Sequence, residues 1–154
     1  TEIYTLSLHD ALPISRAWVG SYVNEPAFER FYEGKIDSDF PVAVLDEEFR
    51  TTIGAQTQTV FMSGETLAKN KAHHPDLSLP DYQGLPDLIE KAGVVIRDGD
   101  NTLVFIKQDD RIYHAVVKAT KTGKALFMTS FRRSDLKDVA RARQRGEVLK
   151  DDGL

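Results

Sequence analysis

The spacing of four apolar runs between Gly93 and Phe131 constrains this chain more than any other feature. The runs are Val94–Arg97, Leu103–Lys107, Ile112–Lys118 and Leu126–Phe131. Each is rich in β-branched or aromatic residues, which suit a half-buried pleated surface. Between them lie only Asp98-Gly99-Asp100-Asn101, Gln108-Asp109-Asp110 and a segment around Lys121-Thr122-Gly123-Lys124, all with residues that accept turn geometry. Connections this short cannot carry a parallel crossover, so consecutive strands must be antiparallel neighbours. The predicted fold class is α+β, with N-terminal helices packed on a four-stranded antiparallel meander sheet and a small additional β-hairpin.

Upstream residues supply the cover for that sheet. Arg16 to Gly34 reads as helical, with Trp18, Val19, Tyr22, Val23, Phe28, Phe31 and Tyr32 as its apolar set. Asn24 is placed to cap a second helix whose first turn holds Pro26, and Gly34 to end it. Phe40–Leu45 and Thr57–Met62 read as short strands that either pair as a hairpin or extend the main sheet. Ser63 caps a helix over about Glu65 to His73, and Pro75 stops it, because the residue before proline is pushed out of the α region. His73 and His74 thus fall at the helix C-terminus, where the dipole favours positive charge. Ser78-Leu79-Pro80-Asp81 has a capping-box pattern, and Leu85, Leu88 and Ile89 form a buried stripe ended by Gly93. After the meander, Ser134 is expected to cap a helix to about Arg145, and Glu147–Leu154 to be a frayed polar tail. The basic residues Lys137, Arg141, Arg143 and Arg145 either decorate a solvated face or turn toward phosphate.

Length and composition set the class. At 154 residues the chain suits one domain with a single core. No window offers the unbroken apolar run of a membrane span. Without cysteine, disulfides and thiolate metal sites are excluded. The formal charge of −4 gives no electrostatic case for tight non-specific binding of nucleic acid, although a local basic cleft is compatible with it.

Residues 1–14, TEIYTLSLHDALPI, back-translate in one continuous frame into a common short-read sequencing adaptor. They are read as a translated artefact and set aside from fold reasoning. The native chain is then expected to begin near Ser15 as a piece of a longer protein, with one domain over 15–146. Leaving out Glu2 and Asp10 brings the formal charge to about −2.

Period-two geometry sorts the strand residues. Ile112, His114, Val116 and Lys118 share one face of their strand. In the next, Leu126, Met128 and Ser130 are predicted to share one face, and Phe127, Thr129 and Phe131 the other. Metal binding lacks a pattern: His73 and His74 are adjacent, and there is no His-Glu-x-x-His or cysteine pair. No Gly-rich phosphate loop or Gly-x-Ser-x-Gly elbow is present. No cofactor is expected. What remains is Lys71 and His74 from a helix, with Arg97, Lys118, Ser130 and Arg132 from the sheet. His114 is held in reserve. Such a set suits metal-independent cleavage of RNA, which needs proton transfer at the 2′- and 5′-oxygens and cations on the crowded phosphorane.

The segments His74-Pro75, Tyr82, Leu85-Pro86-Asp87-Leu88-Ile89, Val117-Lys118-Ala119-Thr120 and Thr129-Ser130-Phe131-Arg132 resemble the barnase–EndoU–colicin–RelE-like nuclease domains of phage proteins. Such domains occur at the C-terminus of Mu-type head-morphogenesis proteins. The resemblance spans about Pro41 to Arg133. It implies a barnase- or RelE-like sheet and a metal-independent ribonuclease or toxin-like domain. Its implied catalytic positions are His74, Lys118 and Ser130, with Arg97 and Arg132 as additions. Together with Lys71 from the set above, these two arginines are expected to bind substrate. It also implies RNA as partner, phage head or portal proteins through an upstream region, and a place in the virion or, after delivery, the host cytoplasm. The alternative is a non-catalytic virion or interaction module that keeps the fold.

Overall fold

The computed structural model describes residues 15–154, so the adaptor reading of residues 1–14 lies outside the described residues. In chain order the elements are α1 (Arg16–Tyr22), α2 (Pro26–Tyr32), β1 (Phe40–Val44), α3 (Glu47–Thr52), β2 (Thr59–Met62), α4 (Gly64–His73), α5 (Leu79–Gln83) and α6 (Leu85–Lys91). They continue with β3 (Val94–Arg97), β4 (Thr102–Gln108), β5 (Ile112–Ala119), β6 (Leu126–Ser134), α7 (Leu136–Arg145) and β7 (Glu147–Asp151). None of the described helices is long and apolar enough to cross a membrane.

Two helices start as the sequence reading anticipates, at Ser63 and at the Ser78–Asp81 box, and Ser15 adds a cap that the reading does not name. The Ser15 and Ser63 hydroxyls accept from the third residue on, and Ser78 and Asp81 form a reciprocal capping box. Two caps differ. Glu25, not Asn24, stands at the N-cap of α2, because Asn24 turns back to donate to the Gly20 carbonyl at 2.9 Å. Asp135, not Ser134, caps α7 by accepting from the Asp138 amide at 2.8 Å; Ser134 is the last residue of β6.

The sheet has seven strands rather than the four expected, in the order β1-β2-β6-β5-β4-β3-β7. The four meander strands pair consecutively and antiparallel within it. The expected small hairpin is instead an extension of that sheet. β1 and β2 pair antiparallel with α3 between them, and β2 joins β6 in parallel through Val60–Leu126 and Phe61–Phe127. Nor is the polar tail frayed. Residues of β7 pair antiparallel with β3 from Arg97–Glu147 to Val94–Asp151. β3 is apolar and buried, and without β7 it would present an open row of amides and carbonyls. Gly146 permits this return: a Cβ there would lie 2.6 Å from the Arg97 carbonyl oxygen.

The two faces of the sheet are covered differently. On the first, Val95, Leu103, Phe105, Ala115, Val117, Leu126, Met128 and Phe131 join Leu67, Tyr82, Leu85, Leu88 and Ile89 of the helices in the main core. On the second, Val94, Ile96, Val104 and Ile106 pack against Val139 and Ala142 of α7. This helix leaves β6 at Asp135 and reaches β3 at Gly146, so it crosses the sheet. Two of its arginines act as fasteners, Arg143 to Asp151 at 3.0 Å and Arg145 to Asp98 at 3.4 Å, while Arg141 pairs with Asp138 within the helix at 3.3 Å. The part of the second face over β5 and β6 stays open, with Val116, Phe127 and Ser130 half-buried and Lys118 exposed.

Candidate functional site

A β-bulge builds the open face. Val116 pairs with Ser130, but the next residue, Val117, pairs with Met128, so Thr129 is the extra residue. Strict alternation would put Ser130 beside Met128. The bulge instead leaves Met128 and Phe131 both in the main core and turns Ser130 to the second face. Lys118 is on that same face, opposite Phe127 and one diagonal from Ser130. Diagonal neighbours on a sheet lie about 7–8 Å apart, within the reach of a lysine side chain to a shared ligand. Arg132 follows on this face, opposite His114.

The remaining predicted residues divide into two groups. His74 caps the C-terminus of α4. It is bracketed by two contacts to β6: Asn70 bonds the main chain of Phe131, and Asp76 lies 3.7 Å from Arg133. Phe131 and Arg133 alternate with Ser130 and Arg132 and lie on the first-face side with Ala115 and Tyr113, so α4 meets β6 at its edge from the helix-covered side. No contact among the described residues joins His74 to Ser130, Lys118 or Arg132. Lys71 and Arg97 do not join them. The Lys71 ammonium donates to the Tyr32 carbonyl at 2.7 Å and sits 4.1 Å from the Tyr32 ring centroid, so it ties α4 to α2. The Arg97 guanidinium donates to the Gly99 carbonyl at 3.2 Å and the Asp100 carbonyl at 3.4 Å, bracing the β3–β4 turn. β4 and β5 separate β3 from β6, about 14 Å at ordinary strand spacing.

Charge on the open face is unevenly committed. Lys118 has no ion-pair partner among the described residues. Arg132 donates to the Asp138 carboxylate at 2.6 Å, which is the main reason the Asp138 pKa lies below its ordinary value. His114 is buried at 6% exposure, with an Nδ1 that has no hydrogen-bond partner. Burial, then the nearby Arg132 cation, pushes its pKa down to about 4. It is a neutral wall of the site at neutral pH. Its position on this face was legible from alternation along β5; its burial was not, because that depends on groups brought in from elsewhere in the chain, among them Arg132, Asp138 and Arg145.

Among the described residues no cluster of three or more His, Asp or Glu side chains could hold a metal ion. Comparison with protein-family models, with curated proteins and with solved structures gave no match.

Proposed function

We propose that this chain is a metal-independent ribonuclease or toxin-like domain that meets RNA on the open part of the second sheet face. The observation that carries the reading is the diagonal placement of Lys118, which has no ion-pair partner among the described residues, and Ser130 on neighbouring strands of that face. Lys118 would neutralise charge building on the phosphorane, and the Ser130 hydroxyl would donate to a non-bridging oxygen. His74, at the α4 C-terminus by the edge of β6, would have to reach round that edge to move the proton. In the reaction the 2′-oxygen bonds to phosphorus and loses its proton to a base. The bond to the 5′-oxygen breaks as that oxygen takes a proton, leaving a 2′,3′-cyclic phosphate. A place in a phage head-associated protein, with head or portal partners and delivery to host cytoplasm, follows from the motif resemblance.

A mixed RNA incubated with the chain in EDTA, beside its His74→Ala variant, tests this. Cleavage by the parent alone is expected; no cleavage by a folded parent defeats the nuclease reading. The second reading is a non-catalytic virion or interaction module with this fold. It is favoured by the commitment of Lys71, Arg97 and Arg132 to contacts within the protein.

A further inference from the structure

We infer that Asp138 holds the place of a phosphate group at Arg132, so that α7 keeps an anion seat on the open face closed until a polyanion displaces it. The inference rests on the proposed reading of this face as phosphate-contacting. Arg132 lies two residues beyond Ser130 on the same face, yet its charge is cancelled within the protein. The Asp138 carboxylate collects three donors. Arg132 at 2.6 Å and the Ser134 hydroxyl at 3.1 Å share Oδ2, and Arg141 reaches Oδ1 at 3.3 Å. Two guanidinium groups and a hydroxyl around one small anion are the donors that would receive phosphate oxygens.

Asp138 differs from the acids that hold the other α7 arginines. Asp98 and Asp151 belong to the β3–β4 turn and to β7, and their pairs fasten α7 at its far end. Asp138 is the only acid of α7, and it points its charge at the strand that carries Ser130. The pair is partly open to solvent, with 29% and 25% of the two side chains exposed, so another anion can reach it. Water at a partly open pair screens it, which lowers the cost of exchanging one anion for another. Releasing the carboxylate need not release the helix, because Val139 and Ala142 keep α7 seated in its own core cluster.

The test uses the full chain and a fluorescein-labelled 2′-O-methyl oligouridylate of about twelve nucleotides, within the usual span of single-strand sites. This probe lacks the attacking hydroxyl and is not cleaved. Asp138→Asn should bind it about tenfold tighter, as one added charge-assisted contact allows. The salt dependence should steepen by about 0.7 in log–log slope, the value for one further phosphate on a single strand. In an Arg132→Ala background the same substitution should tighten binding much less, because only Arg141 and the Ser134 hydroxyl are then released. An equal gain in both backgrounds would mean that general charge removal, not the Arg132 seat, is responsible. If Lys118→Ala weakens the parent but Asp138→Asn does not tighten it, the inference fails and the reading of the face survives. Absence of binding by the parent and by folded Asp138→Asn defeats both. Should Asp138→Asn not fold, hydrogen exchange on the parent decides. Faster exchange of the first-turn amides of α7 with probe bound supports displacement of Asp138, and unchanged or slower exchange overturns it.

Discussion

The side chain of Asn70 pairs with the main chain of Phe131 twice. Its amide nitrogen donates to the Phe131 carbonyl at 2.7 Å, and its oxygen accepts from the Phe131 amide at 3.0 Å. β2 pairs with β6 at Leu126 and Phe127, and Asn70 supplies the main-chain partner four residues further along, where β2 no longer runs. It is 6% exposed, and its amide nitrogen also donates to the Tyr82 hydroxyl at 2.7 Å. This one side chain therefore holds β6 in place just beyond the bulge that aims Ser130.

Replacing Asn70 strands buried polar groups. Asn70→Ala leaves the amide and carbonyl of Phe131 without a partner, and an unsatisfied buried group costs about 1–3 kcal/mol. Loss of about 3 kcal/mol is expected in urea unfolding. Asn70→Asp keeps the acceptor and loses both donated bonds, so it should be no better tolerated. A cost below about 0.5 kcal/mol, the range of ordinary surface changes, would show that the pairing does not hold β6.

Lys118 separates stability from activity. It is exposed and without an ion-pair partner among the described residues, so Lys118→Ala should leave the unfolding free energy within about 0.5 kcal/mol. On the proposed reading it should lower RNA cleavage at least about tenfold, the effect of losing somewhat over 1 kcal/mol from the transition state. Matched assays of cleavage and unfolding check both halves.

His114 makes stability depend on pH. Its pKa in the fold is about 4 against an ordinary 6.5, so the unfolded chain takes up this proton first as pH falls. The contribution is complete above 6.5 and is lost as pH falls from there toward 4. Between about pH 7.5 and about pH 5 the loss is on the order of 2 kcal/mol. The charged neighbours across this face and from α7 are Arg132, Asp138 and Arg145. Urea unfolding at the two pH values should show the difference for the parent and a flatter response for His114→Gln. An equal response in both would mean that His114 does not titrate on unfolding.

Without β7, the edge of β3 is open. Deleting residues 147–154 uncovers the backbone of Val94, Val95 and Ile96, which are at most 1% exposed in the intact fold. Self-association through this edge is expected, read as a concentration-dependent rise in sedimentation coefficient. A truncated chain that stays monomeric and folded would mean that α7 alone protects the edge.

Several features were legible because they are local. The apolar runs from Val94 to Phe131 and their turns specify antiparallel neighbours whatever surrounds them, and those pairings are present. Ser63 and the Ser78–Asp81 box start their helices through contacts only three residues long. The second-face placement of His114 and Lys118 follows from alternation along β5 alone.

Other features depend on partners far along the chain. Strict alternation puts Ser130 with Met128; only the register between β5 and β6 inserts Thr129 and turns Ser130 toward Lys118. The polar segment Glu147–Asp151 carries no strand pattern of its own and becomes a strand because β3 needs an edge partner. Lys71, Arg97 and Arg132 have the same charge in the sequence, yet Tyr32, the Gly99 turn and Asp138 commit each of them differently. Sequence periodicity determined which residues form strands and helices, because backbone geometry repeats over a few residues. Tertiary pairing decided which cation on the open face stays uncommitted, because that depends on groups brought together from distant segments.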